Sequence, residues 1–189
     1  VTMTGLQPAL GAGFGCGTIV GMDSLRPRRS VLFMPGANAR ALEKARSIDC
    51  DGIIIDLEDA VAPDLKVEAR ERAAGVVKEH PYGYREVAIR VNGMDTQWYH
   101  DDLAAAVAAG PDAIAVPKVG SAEHVHAIVA DMEAAGADES VKLWAMIETP
   151  RAVLDCLDIA EASDRLTVLI MGTNDLTTVS YTHLTLPTI

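Results

Sequence analysis

Aromatic side chains are scarce in this chain: two Trp, two Phe and four Tyr make up 4% of 189 residues. With no basic stripe interleaved among them, the sequence offers no platform on which nucleic-acid bases would stack. Positive charge is also in short supply. Sixteen Lys and Arg stand against 27 Asp and Glu, a formal net charge of -11, so a phosphate backbone would be repelled and no nucleic-acid partner is expected. Cysteine occurs three times, at Cys16, Cys50 and Cys156, with no C-x-x-C pair. That count argues against a disulfide framework and a zinc knuckle, and fits a reducing, cytoplasmic setting. Long hydrophobic runs are missing too. Residues 5–22 are mildly apolar, but no Lys or Arg precedes them and six glycines interrupt them, so neither a signal peptide nor a membrane span is expected. Residues 1–21 are read instead as a disordered or spurious extension ahead of Met22. No G-x-S-x-G elbow or P-loop occurs, and GAGFGCG neither follows a strand nor opens a helix, so it is not a dinucleotide fingerprint.

What remains is an ordinary globular composition, 49% hydrophobic and 23% charged, enough for one core over residues 22–177. From Ser30 onward short apolar runs alternate with helical stretches, the pattern of βα units on a parallel sheet. Six strands are expected, at 30–36, 52–58, 86–92, 113–119, 142–148 and 166–172, each apolar enough to be covered on both faces. Asn38 opens a first helix carrying Leu42, Ala45 and Ile48, and Asp64 opens a second carrying Leu65, Ala69 and Val76. Leu103 and Val107 mark a third before Gly110. Ser121 caps a fourth with Val125, Ile128, Val129 and Met132 on one face and Gly136 as its stop. Thr149-Pro150 starts a fifth, whose buried stripe is expected to be Val153, Leu154 and Leu157.

Polar residues fall at or just beyond the C-terminal ends of five strands: Asp56 and Glu58, Arg90 and Asn92, Lys118, Glu148, then Asn174 and Asp175. A doubly wound sheet concentrates its chemistry at one switch point, whereas a βα barrel gathers every strand end around one mouth. The expected fold is therefore an α/β, (β/α)8 TIM barrel, incomplete, with about six of the eight βα units present. Residues 178–189, rich in threonine and poor in helix formers, are read as a non-native tail resembling sequencing-adaptor read-through.

The run GIIIDLEDAVAP (52–63) crowds Asp56, Glu58 and Asp59 at the end of an apolar strand. Placing three carboxylates there is costly unless something uses their charge. Together with RSVLFMPGANARALEKA, the K-x-E-A-R after DLEDAVAP, IRVNG, PKV, IETP and MGTNDL, in that order, the chain resembles the citrate lyase β-subunit family from about Arg29 to Leu176. That family takes in malyl-CoA lyase-like proteins and lies within the HpcH/HpaI aldolase superfamily. The resemblance implies a magnesium-dependent barrel lyase that breaks or forms a carbon–carbon bond between an acyl-CoA and a small oxo acid, in a full-length parent that is a homo-oligomer. It places Mg2+ on Glu148 and Asp175, whose hard oxygens suit that ion. Arg90 becomes the substrate arginine, a clamp for a carboxylate or an offset for enolate charge.

Asp56 and Glu58, two apart on one strand face, are expected to support metal waters or orient Arg90, with Glu58 in a catalytic role and Asp59 a loop cap. Phe33, Pro35, Gly36 and Asn38 are expected to shape the acyl-CoA entrance. Arg40 and Lys44, four apart on a helix, and the pair His124 and His126 read as surface. The superfamily's 2-oxo acid aldolases carry a histidine where this chain has Asp59, which favours the thioester-cleaving branch. An aldolase of that kind, and an inactive truncated fragment lacking a C-terminal proton-transfer acid, are the alternatives.

Overall fold

The computed structural model describes residues 26–79 and 81–180, with side chains through 177. The expectations for residues 1–21, and for the tail from 181 onward, lie outside the described residues. Six strands form one sheet: β1 Val31–Pro35, β2 Gly52–Asp56, β3 Glu86–Arg90, β4 Ala113–Val116, β5 Lys142–Ile147 and β6 Leu166–Met171. All neighbours pair in parallel and in chain order, β1 to β6. An order that never reverses has no switch point; it is the wall of a βα barrel, open here because β1 and β6 do not meet.

Helices α1 Ala39–Ala45, α2 Lys66–Lys78, α3 Tyr99–Ala109, α4 Ala122–Ala134, α5 Pro150–Leu154, α6 Cys156–Glu161 and α7 Thr173–Ser180 follow the strands. Short polar side chains start several of them. Asn38, Ser121 and Thr149 accept hydrogen bonds from the amides of Ala41, His124 and Ala152, and each such cap stabilises its helix by about 1 kcal/mol. Gly110, at φ 67°, ends α3 in the left-handed region that a side chain would strain.

Pleating divides the strand residues between two cores. Ile53, Ile55, Ile89, Ile114, Leu143 and Ile147 face the helices and pack with Ala69, Ala73, Leu103, Ile128 and Met132. The opposite face carries Ile54, Ala88, Ala113, Ala115 and Trp144. Three alanines there leave the volume that the Trp144 indole fills, and Arg28 stacks 5.6 Å over that ring while forking onto Glu86 at 2.6 and 2.8 Å. This polar and aromatic floor lies toward the N-terminal ends of the strands.

Four expectations change. β1 and β6 are only half covered, because each has a single neighbouring strand. Val153, Leu154 and Leu157 are not a buried stripe; they are 38%, 80% and 65% exposed. The helix breaks at Asp155 (φ -95°, ψ 13°), which resets the helical phase so that Ala152 and Ile159 face inward instead. Asp64 caps nothing: Pro63, with its fixed φ, starts a 3-10 turn to Leu65, and α2 begins at Lys66 with Lys66, Ala69, Ala73 and Val77 buried. Finally, β6 ends at Met171 and α7 starts at Thr173, so Asp175 sits in a first helical turn rather than at a strand end. The same helix runs on to Ser180.

At the base of β2, Asp51 accepts from the Arg29 amide (2.8 Å), Nε (2.9 Å) and Nη2 (2.7 Å), tying the start of β1 to its neighbour. The Arg29 guanidinium foremost, helped by the amides of Arg29 and Ser30, holds the Asp51 carboxyl down at about 2. A carboxyl depressed in this way stabilises the fold above its unfolded value of about 3.9 and loses that contribution as pH falls toward the folded value. Asp51→Asn is therefore expected to lower Tm at pH 7, with the gap from wild type closing between pH 4 and pH 2. A gap of constant size across that range would remove the ion pair as its cause.

Candidate active site

The C-terminal ends of the strands surround a cavity of about 480 Å³. Phe33, Asp56 and Arg90 line one side of it, and Met146, Glu148, Gly172 and Asp175 another. The parallel register places Asp56 beside Arg90. Arg90 is committed through two of its three nitrogens: Nε and Nη2 each donate to an Asp56 oxygen at 2.7 Å, a fork that fixes the plane of the guanidinium. Phe33 lies under that plane, its ring centre 5.3 Å from the guanidinium carbon. The remaining nitrogen, Nη1, faces Glu58 Oε2 at 3.0 Å, Asp59 at 3.5 Å and the Met146 sulfur at 3.8 Å.

The three acids of the DLED run thus part company. Asp56 also accepts from the amides of Glu58 (2.8 Å) and Ala60 (3.0 Å), so both its oxygens are saturated and it orients Arg90. Glu58 is buried behind the arginine, and its Oε2 has no aligned hydrogen-bond donor despite the nearby charge. Burial pushes its carboxyl up to about 7 against the downward pull of Arg90. Asp59 is mostly exposed and reaches Arg90 only at long range.

Glu148 directly follows β5, with 3% of its surface exposed. Burial first, then a hydrogen bond to Asp175, then the charge of Glu58 hold its carboxyl well above the usual carboxylate range. Two carboxylates in contact in a dry site repel each other unless a proton or a cation lies between them. Gly172 makes room for this arrangement: a Cβ there would meet Glu148 Cγ at 2.3 Å and Cδ at 2.9 Å. Lys118 adjoins Glu148 and Glu58. It is the one non-glycine residue with positive φ (54°) among the described residues, a conformation costing about 1–2 kcal/mol. Its amide lies 3.4 Å from Glu148 Oε1 and its ammonium 3.8 Å from Glu58 Oε1.

The donor set fits magnesium, which takes one or two protein carboxylates and fills its remaining positions with water and substrate oxygens. Among the described residues, no group of three or more His, Cys, Asp or Glu has metal-binding geometry, as a softer or fully protein-caged ion would require.

Arg90, Glu148 and Asp175, singled out in the sequence, therefore share one cavity, with Glu58 packed behind Arg90. Pro35, Gly36 and Asn38 do not line it. The Gly36 amide donates to Asp56 O at 2.8 Å, and a Cβ there would meet Leu57 at 2.9 Å. Asn38 caps α1, and the Pro35 carbonyl accepts from the Asn38 amide. Asn92 is buried on Asp102 and the Leu57 carbonyl, a structural post beneath the rim. Arg40, Lys44, His124 and His126 are exposed, as expected. Lys118 was placed at the rim by its strand end but its strained backbone was not foreseen, nor were Gly172 and Met146 as site-forming. The only sequence signal for them is their place at the ends of β6, β5 and β4.

Residues 29–184 match the HpcH/HpaI aldolase/citrate lyase family. A (3S)-malyl-CoA thioesterase of Cereibacter sphaeroides (strain ATCC 17025 / ATH 2.4.3) is 49% identical over 150 residues, spanning 79% of this chain and 50% of that protein. The citrate lyase subunit beta of Leuconostoc mesenteroides subsp. cremoris is 35% identical over 167 residues, 86% of this chain and 55% of its own length. The citrate lyase beta subunit of M. tuberculosis, solved with oxaloacetate and magnesium, superposes with a TM-score of 0.62 at 26% identity, covering 81% of this chain and 61% of that one. The chain spans about half the length of the curated relatives it matches. No helix among the described residues is long and apolar enough to cross a membrane.

Proposed function

Since the chain belongs to the HpcH/HpaI aldolase/citrate lyase family, we propose that it forms the magnesium-dependent site of a carbon–carbon lyase acting on a β-hydroxyacyl-CoA such as malyl-CoA or citryl-CoA. The observation that carries this reading is that Glu148 and Asp175 line one cavity with a guanidinium whose orientation Asp56 already fixes. Magnesium held by those two carboxylates would supply Lewis-acid polarisation of the oxo-acid carbonyl. Arg90 Nη1 is the nitrogen free of the Asp56 fork, and it meets the substrate's negative charge as the carbon–carbon bond breaks. As the β-hydroxyl gives up its proton and becomes the oxo-acid carbonyl, the carbon–carbon bonding pair passes to the thioester enolate, and one proton returned to the enolate carbon completes the acyl-CoA. Glu58, with its proton affinity near neutral pH, is placed beside Arg90 to hold or release a proton as that charge changes.

A second reading has its own support. The relative at 49% identity is named for hydrolysis of (3S)-malyl-CoA, so the same substrate could lose its thioester instead. Product analysis separates the two. With malyl-CoA and magnesium, a lyase yields acetyl-CoA and glyoxylate, whereas a thioesterase yields free CoA thiol and malate. Consumption of the thioester unaffected by chelation would defeat both.

Gly172→Ala tests the metal assignment without turnover. Its Cβ would sit 2.3 Å from Glu148 Cγ, so the carboxylate must move. Mg2+ or Mn2+ affinity by calorimetry is expected to fall about 10–100-fold. Gly120→Ala, whose Cβ meets nothing closer than His124 at 3.6 Å, should leave it unchanged.

A further inference from the structure

Lys66 is a buried cation whose bonds go to carbonyls rather than carboxylates. It is 5% exposed, and its ammonium donates to the main-chain oxygens of Leu57 at 2.7 Å and Glu58 at 2.6 Å. The Trp98 ring closes over it, with the centroid 5.4 Å away. Burying an ammonium without a bonded counter-ion is costly, and a neutral donor would serve if the loop needed only another hydrogen bond. Asn92 Nδ2 is already such a donor, 3.0 Å from Leu57 O.

We propose that Lys66 is the positioning residue of the acidic loop. By holding the two peptide planes that flank Glu58, it aims that carboxylate at Arg90 and Lys118, and its charge beneath the loop favours keeping the DLED acids together. The geometry supports both halves. Glu58 O accepts from Val61 N at 3.1 Å as well as from Lys66, so the turn after β2 closes on the lysine. One helical turn on, Arg70 bonds Asp102 at 2.6 Å, so α2 grips the rim at two successive points. Loss of the ammonium leaves Leu57 O to Asn92 alone and Glu58 O to Val61 alone, while the Arg90–Asp56 fork keeps both its bonds. The inference deepens the proposed function, because it matters to chemistry only if Glu58 and Arg90 serve a substrate.

Native-state amide exchange of wild type, Lys66→Met and Lys66→Arg tests it. In Lys66→Met, the Ala60 and Val61 amides should lose at least tenfold more protection than Ile89 and Ala115 in the sheet, and Lys66→Arg should recover part of the loss. Lys66→Ala with added ethylammonium supplies the same comparison should the Met variant not fold. Equal loss at all four amides, or none, overturns the proposal: the lysine would then be a stability element, or its charge irrelevant. Calorimetry with oxaloacetate and Mg2+ is run alongside. If Ala60 and Val61 loosen selectively but not even wild type binds the pair, the positioning role stands and the lyase reading fails.

Discussion

Replacing Arg90 by methionine is expected to cost about 3–5 kcal/mol of folding stability, the range for removing one partner of a buried ion pair. For a chain of this size that is a fall in Tm of about 10 °C. Its guanidinium is buried, and among the described residues no other side-chain cation bonds Asp56, whose oxygens take it at 2.7 Å twice over. Without it, Glu58 loses the main influence that lowers its proton affinity, so its pKa climbs beyond about 7. A carboxyl raised in the folded state destabilises as pH rises from its unfolded value of about 4.3 through the folded one. Below about pH 7 wild type and variant lose stability in parallel, so the deficit of the variant should widen from pH 7 to pH 9, where the wild-type carboxyl ionises and the variant's resists. Thermal melts across that range are the check, and a deficit that narrows with pH would mean that Glu58 is not held by Arg90. Lysine at the same position keeps the charge but not the two-pronged geometry, so an intermediate loss is expected.

Glu148→Gln should move stability in the opposite direction. Glu148 is forced to share a dry site with Asp175 and feels the charge of Glu58 as well, so its ionised form is unfavourable there. Glutamine removes that charge with little change of shape. In metal-free protein at pH 8, the substitution is expected to stabilise the fold by about 1–2 kcal/mol, and the gain should vanish near pH 5, where the wild-type carboxyl is protonated. Magnesium reverses the ranking. At a hundred times its Kd a ligand stabilises by about 2.7 kcal/mol, a shift wild type should show and Glu148→Gln should lack. Calorimetric scans with and without Mg2+ give all four numbers. Equal magnesium shifts in the two proteins would remove Glu148 from the metal site.

Much of the molecule was legible because its signals are local. Ser121, the apolar spacing of Val125, Ile128 and Met132, and Gly136 delimit α4 without reference to any other segment. Three isoleucines followed by acids gave both β2 and the place of the site. Reading failed where position depends on the rest of the fold. Val153, Leu154 and Leu157 keep helical spacing, but the backbone turn at Asp155 resets the phase, and no residue type announces it. Alternation put Asp56 and Glu58 on one face, yet only the folded loop shows the first saturated by four donors and the second left with an oxygen lacking any. The need for Gly172 appears once β6 is set beside β5, with Met171 paired to Ile147, so that its missing side chain becomes the space for Glu148. Lys66 was visible as part of K-x-E-A-R, but its reach back to a carbonyl eight residues earlier follows from how α2 docks, which the sequence alone does not state.

The indole of Trp144, wedged over a layer of alanines with the Arg28–Glu86 pair beneath, separates two ends of the sheet that have different jobs. Alterations below that plug act on how much heat the protein withstands, while alterations above it, Arg90 and Glu148 among them, act on both stability and binding. The lower half can therefore drift toward greater or lesser robustness with little consequence for what the mouth of the sheet holds.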